Sequence, residues 1–291
     1  MTSTINRPLP DGSQPVARGK TKRIQIRDGR PHACLITTGD WVTAGDGAKR
    51  KSRHGLGELR TTVTCNVFAL LRRHGIPVAF YERWSETTFV APHCKMIPLE
   101  VVVRFVAAGS YLKRNPETEA GTVFAEPVLE FFLKTTEKKF DGTALPVDDP
   151  LLRFTEENSF ERAKLYLPNR PESEGQIEDV EIRRAQIVQG GFISEVVAIA
   201  SIQALAPRAA LVLRDAWAAL DATLWDVKFE FGIGPNGHLY LADVVDPDSW
   251  RLVNKRNGQH LDKQPFRDSK SIVDLVGLYA IAAYLSNQFS F

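Results

Sequence analysis

Trp225-Asp226-Val227-Lys228-Phe229-Glu230-Phe231-Gly232, followed by Asn236-Gly237 and then Leu239-Tyr240-Leu241-Ala242-Asp243, is the stretch on which the fold turns. Polar and apolar residues alternate with period two before an Asn-Gly pair, the strongest short signal for a β-hairpin. With a two-residue loop, Pro235 pairs with His238 and Glu230 stands directly opposite Asp243. Opposed like charges about 5 Å apart repel. Such a pair suits an intervening cation, and two carboxylates with room for water and phosphate oxygens are a common way to hold Mg²⁺. A solvated hairpin whose acids point at water is the competing reading.

Outward from the hairpin, short strands and helices alternate without repeats or low-complexity blocks. Leu99 to Val106 is an apolar run of strand type, helices are expected near Ile187 to Leu205 and from Ser269 to Ser286, and the charge- and proline-rich stretch Glu156 to Glu181 reads as a mobile insertion. Toward the N-terminus, strands are expected at Arg23 to Ile26, Ala33 to Thr37, Val78 to Tyr81 and Thr87 to Val90. They surround one helix from Leu59 to His74 that Gly75 ends. The pattern predicts an α+β protein of two lobes, a small strand-rich lobe over 16–92 and a larger α+β lobe over 93–291, with a ligand cleft between them.

Composition narrows the function classes. The chain has 291 residues, 43% of them hydrophobic, enough for a substantial core. Its 37 basic and 35 acidic residues nearly cancel, and basic residues are not interleaved with aromatic ones, so a nucleic-acid partner is not expected. The three cysteines, Cys34, Cys65 and Cys94, lack metal-ligand spacing and suit reduced, buried thiols. Residues 1–16 carry no apolar leader core, and no run of about 18 apolar residues occurs, so neither a membrane partner nor a secreted location is expected. A soluble, cytoplasmic protein is the reading, with a homo-oligomer left open.

Further clusters bear possible chemistry. Gly19-Lys20-Thr21-Lys22 offers free amides and two ammonium groups to a phosphate tail, though lysines at a strand start are more often solvated. Thr43-Ala44-Gly45-Asp46-Gly47 sets an acid between glycines, where backbone can approach a ligand or merely turn. Arg104-Phe105-Val106-Ala107-Ala108-Gly109-Ser110 launches an arginine from an apolar strand toward a hydroxyl, to grip a phosphate or carboxylate or to pair with a nearby acid. Lys134 with Asp148-Asp149-Pro150, then Asp246-Pro247-Asp248 with Arg251, and finally Arg267, complete a scattered set of charges. Such a set makes sense if it converges on an anionic ligand.

In their order and spacing these strings resemble the SAICAR synthetase family over nearly the whole chain, from Arg18 to Arg267. The resemblance implies a two-lobed fold, distantly kinase-like and ATP-grasp-like. It also implies an ATP- and Mg²⁺-dependent ligase that joins L-aspartate to the imidazole carboxylate of the nucleotide CAIR through an acyl phosphate. By the same resemblance Gly19, Lys20, Thr21 and Lys22 hold ATP, and Glu230 and Asp243 carry the metal. Arg104, Ser110, Asp226, Arg251 and Arg267 hold the nucleotide substrate, while Lys134, Lys228, Asp46 and Asp149 are the catalytic positions. Three departures bear on the substrate, one of them the change of the family's usual Arg-Leu-Trp to Arg251-Leu252-Val253. The family's Asp-Glu-hydrophobic-Ser-Pro-Asp becomes Asp243-Val244-Val245-Asp246-Pro247-Asp248, and its frequent Asn-Asn after the first glycine loop is replaced near Leu59-Arg60. They leave open a paralogue acting on a related nucleotide in specialised metabolism, and a catalytically silent nucleotide-binding relative.

Overall fold

The computed structural model describes residues 14–291 apart from 20, 28, 45–48, 157–158, 190–192, 269–273 and 290–291. Its first layer is a five-stranded antiparallel sheet of β1 (Gln14–Arg18), β2 (Lys22–Arg27), β3 (Arg30–Thr38), β6 (Glu82–Arg83) and β7 (Thr88–Pro92), in the order β1-β2-β3-β7-β6. The ribbon β4 (Trp41–Ala44) with β5 (Lys49–Ser52), and the helix α1 (Leu56–Arg73), lie between β3 and β6 in the chain. Gly75, at φ +72°, follows α1 where the chain must turn left-handed.

The second layer is an eight-stranded sheet ordered β14-β13-β12-β9-β8-β15-β16, with β17 also on β15. In chain order its elements are β8 (Lys95–Val106), α2 (Ser110–Arg114), β9 (Val123–Leu133), the ribbon β10 (Lys139–Phe140) with β11 (Thr143–Ala144), and β12 (Leu151–Phe154). There follow β13 (Arg162–Tyr166), α3 (Glu172–Gly175), β14 (Gln176–Arg183), α4 (Arg184–Ile187) and α5 (Glu195–Ala218). The chain closes with β15 (Ala222–Ile233), β16 (Leu239–Ala242), β17 (Trp250–Asn254), α6 (Gln264–Asp268) and α7 (Leu275–Ser286).

Period-two alternation puts Leu224, Val227, Phe229, Phe231, Leu99, Val101 and Val103 into the core, where α5 packs on β15, β8 and β9. Its buried residues include Ile199, Ile202, Leu213 and Trp217. By length and composition alone α5 is apolar enough to cross a membrane, but this face is the second layer of the core. Phe68, Phe80 and Phe89 cluster with ring centroids 6.0–6.2 Å apart and continue the same core into the small sheet. The layers are tied by Ala79 N–H donating to the Leu241 carbonyl and Leu241 N–H to that of Pro77, each at 2.8 Å.

Four expectations need correction. The hairpin loop has three residues, Pro235 to Gly237, closed by Gly234 N–H donating to the His238 carbonyl at 2.8 Å, and Glu230 pairs with Ala242, not with Asp243. Gly237 N–H donates to the Gly234 carbonyl at 2.9 Å and Gly237 has φ +78°, a type I turn closed by a left-handed glycine. Pro235 suits the second position of such a turn, whereas the two-residue form requires positive φ at Asn236 as well. Second, the stretch 159–181 contains β13 and most of β14: Ala163, Leu165 and Ile177 alternate inward while charges decorate the other face. Third, the long helix runs over Glu195–Ala218, capped by Ser194, whose hydroxyl accepts the Val197 N–H at 3.3 Å, and it passes through Pro207 instead of stopping before it. Fourth, among residues 78–81 only Val78 makes a β-bridge.

Candidate active site

The polar sides of β15 and β8 floor a cavity of about 990 Å³. Registers set Asp226 opposite Arg104, Lys228 opposite Val102 and Glu230 opposite Glu100. The hairpin itself therefore opposes no acids; the opposed pair, Glu230 with Glu100, comes from the pairing of β15 with β8. Lys228 Nζ lies 2.5 Å from Glu100 Oε1 and 3.4 Å from Glu230 Oε1, so its ammonium screens them. Lys134, from the end of β9, also pairs with Glu230. Burial alone would raise the Glu230 carboxyl, but the ammonium groups of Lys228, Lys134 and Lys22 outweigh it and hold the group down at about 2. Those carboxylates in turn raise Lys228 above the usual lysine value against the effect of burial.

From the small sheet, Gly19, Thr21 and Lys22 reach the same cavity, and Lys22 pairs with Asp243. Asp243 sits one residue past β16 at φ +64°, a left-handed backbone that aspartate tolerates better than most residues. Burial lowers Lys22 to about 8. Among the described residues no three His, Cys, Asp or Glu side chains converge as a metal cage. The donor set on offer is the pair Glu230 and Asp243, each facing lysine ammonium.

Arg104 is buried and saturated from behind. Its Nε donates to Glu130 Oε2 at 2.6 Å, Nη1 to Asp226 Oδ2 at 3.1 Å and Nη2 to Ser110 Oγ at 3.3 Å, so the acid-paired reading of this arginine holds while its edge still meets the cavity. Asp226 accepts from Arg251 twice more, from backbone N–H at 3.1 Å and from Nη1 at 2.5 Å. Gly109, at φ +60°, lets the Arg251 guanidinium pack onto its bare Cα; a Cβ there would collide with it. Arg251 Nε and Arg267 Nη1 share Gln264 Oε1, each at 3.2 Å, which sets the two cations side by side.

At the rim by Lys134, the Thr135 backbone N–H donates to Asp149 Oδ1 at 2.9 Å. Burial raises the Asp149 carboxyl, and Glu100 pushes it the same way. Gly19, Thr21, Lys22, Arg104, Ser110, Lys134, Asp149, Asp226, Lys228, Glu230, Asp243, Arg251 and Arg267 therefore line one cavity. Lys20 and Asp46 lie outside the described residues. Sequence reasoning missed Glu100, Glu130 and Lys263. The available signal for Glu100 was its place as the one acid in a strand that is apolar from Leu99 to Val103 on either side of it, two residues after Pro98.

A family model described as SAICAR synthetase matches residues 15–148 and 154–276. The chain belongs to the SAICAR synthetase family. It is 35% identical over 265 residues to the phosphoribosylaminoimidazole-succinocarboxamide synthase of Roseiflexus sp. (strain RS-1), covering 89% of this chain and 88% of that one. It is also 35% identical over 279 residues to the synthase of the same name from Chloroflexus aurantiacus (strain ATCC 29366 / DSM 635 / J-10-fl), covering 94% and 96%. A solved SAICAR synthetase (Type-2) in complex with ADP superposes with a TM-score of 0.72 at 27% identity, over 95% of this chain and 99% of that one. The fold is likewise that of the Ehrlichia chaffeensis synthase, with a TM-score of 0.74 at 23% identity over 94% of this chain and 98% of that one. The mixed α+β architecture expected from the SAICAR synthetase resemblance is thus the one observed.

Proposed function

We propose that this chain is an ATP-dependent carboxylate–amine ligase that joins L-aspartate to the carboxylate of CAIR, giving SAICAR, ADP and phosphate in purine synthesis. One observation carries the reading. Phosphate-type ligands from the small sheet and carboxylate- and phosphate-type ligands from the large sheet meet in a single cavity, in a chain 35% identical to named synthases.

A carboxylate does not accept an amine, so it must first become an acyl phosphate whose leaving group is phosphate. In this reading 16–92 is the ATP-binding lobe and 93–291 carries the substrates. Gly19, Lys20, Thr21 and Lys22 hold the ATP phosphates, and the ADP complex of a 27% identical relative supports the binding of an adenine nucleotide. Ser110, Arg251 and Arg267 hold the nucleotide's anionic groups, with Arg104 and Asp226 fixing Ser110 and Arg251 from behind. Lys134 and Lys228 stabilise negative charge on the carboxylate as it becomes the acyl phosphate. Asp149, whose carboxyl burial raises, suits proton acceptance from the aspartate ammonium, and Asp46 is placed near the ligands by resemblance alone.

Glu230 and Asp243 fit Mg²⁺, which takes one or two carboxylates and completes its shell with phosphate oxygens and water. When bound there, the ion would neutralise charge on the transferring phosphoryl group. These small, charged substrates suit a cytoplasmic enzyme.

A second reading, a paralogous ligase for a related nucleotide, is favoured by Val244 and Asp246, which line the cavity where the family commonly carries an acid and a serine. ADP release with ATP and Mg²⁺ decides between them, comparing CAIR plus L-aspartate with each omitted, and product identification by mass. Release that needs both, with the succinocarboxamide mass, establishes the first reading. ATP bound without turnover of CAIR moves the assignment to the second.

A further inference from the structure

The cavity wall formed by Asp246-Pro247-Asp248 is held from behind by a side chain out of substrate's reach. Arg60, on α1, is 1% exposed. Its Nη1 donates to the carbonyls of Gly39 and Trp41 at 2.6 and 2.8 Å, its Nη2 donates to Asp248 Oδ2 at 3.0 Å, and its Nε stands 3.6 Å from Asp246 Oδ2. The Tyr279 hydroxyl, from α7, donates to the other Asp248 oxygen. On the cavity side, Lys263 Nζ lies 3.8 Å from the same Asp248 oxygen that Arg60 holds, too far for a hydrogen bond.

The charge balance at this wall gives Arg60 a task. A buried carboxylate, Asp246, and a part-buried one two residues on, Asp248, would draw in whatever cation is nearest, and without Arg60 that cation is Lys263. With the guanidinium hydrogen-bonded to Asp248 and in ion-pair range of Asp246, Asp248 already accepts from Arg60 and Tyr279, and the lysine keeps only a long ion pair of 3.8 Å to it. Burial lowers the Lys263 ammonium, Arg267 and Arg60 push the same way, and Asp248 and Asp246 oppose them without prevailing. We propose that Arg60 is a positioning residue for the substrate end of the cavity: by occupying Asp246 and Asp248 from behind, it keeps the Lys263 ammonium available to an anionic group of the substrate, beside Arg267. The identity of that substrate rests on the function proposed above; the hold of Arg60 over Lys263 does not.

Two measurements test this on the full chain. The first is competitive acetylation with trace acetic anhydride across pH 7 to 10, read at Lys263 by mass spectrometry. Arg60→Met should move the Lys263 profile upward by about one pH unit, roughly tenfold lower reactivity at fixed pH, because Asp248 then faces the lysine alone. Arg60→Met/Asp246→Ser, which removes one of the two acids, should move it most of the way back. The second is steady-state kinetics: the KM for CAIR should rise about tenfold in Arg60→Met while that for ATP stays within about twofold, with recovery in the double variant. An unmoved Lys263 profile in a folded variant, or equal increases in both KM values, overturns the proposal. If Arg60→Met does not fold, Arg60→Lys serves, since an ammonium cannot span both carboxylates; it should shift both readouts in the same direction by less. A wild-type chain inert toward CAIR defeats the functional reading, and the acetylation profile then decides the role of Arg60 alone.

Discussion

Glu230 on β15 stands directly opposite Glu100 on β8, and the ammonium of Lys228, two residues before Glu230, lies between them. Like charges in register across antiparallel strands are destabilising unless a cation screens them. Lys228 is therefore as much a condition for the sheet as a part of the site. Lys228→Met should lower stability to urea by about 1–3 kcal/mol, a figure discounted for the lysine's partial exposure. Lys228→Met/Glu100→Gln should recover most of that loss and none of the turnover.

The same lysines set the acid limit. Burial opposes ionisation of Glu230, yet the ammonium groups keep its carboxyl at about 2. A carboxyl depressed in the folded state contributes stability above its ordinary range, and that contribution is lost as pH falls from about 4.5 to about 2. Lys228→Met should therefore unfold at a higher pH than wild type in an acid titration followed by circular dichroism.

Glu230→Gln and Asp243→Asn should each lower ADP release at least about 100-fold with the fold intact, because each removes one of the two charges proposed to hold Mg²⁺ without changing side-chain volume. Near-normal turnover in both, with circular dichroism unchanged, would remove the hairpin from the chemistry.

Gly109→Ala should raise the KM for the anionic nucleotide about tenfold or more, with a smaller effect on ATP. Its Cβ would occupy the space of the Arg251 guanidinium, in a backbone with φ +60° that alanine resists. Parallel kinetics with the two substrates check the split.

Burial pushes the thiols of Cys34, Cys65 and Cys94 up to about 12. At pH 8 on the order of one in ten thousand would be thiolate, so Ellman's reagent should find none in the native protein and three in guanidinium. A thiol raised in the fold keeps its proton longer than in the unfolded chain, so stability should fall as pH rises above about 9. Denaturant titrations at pH 8 and 10 check the sign.

Much of the site was legible because its parts are short and local. Gly19 to Lys22, Arg104 to Ser110 and Asp226 to Glu230 were each recognisable as strings, and every described member of them singled out as a ligand-facing group reaches the cavity. The loop register was misjudged by one residue because Asn-Gly was weighed above Pro235, and one residue is enough to change which side chains face each other across a hairpin. The segment 159–181 was misjudged because its charges are the exposed half of β13 and β14, whose buried half there is as short as Ala163, Leu165 and Ile177.

By itself the sequence determined the α+β class, the polar face of β15 and the family, since alternation and motif order are properties of neighbouring residues. Tertiary structure alone decided the partners. Glu130 meets Arg104 across 26 positions, Asp248 meets Arg60 across 188, and Glu100 meets Glu230 through a strand register that no local pattern specifies. The physical reason is that burying a charge demands a counter-charge wherever the chain can deliver one, and only the packed fold brings those distant segments within reach.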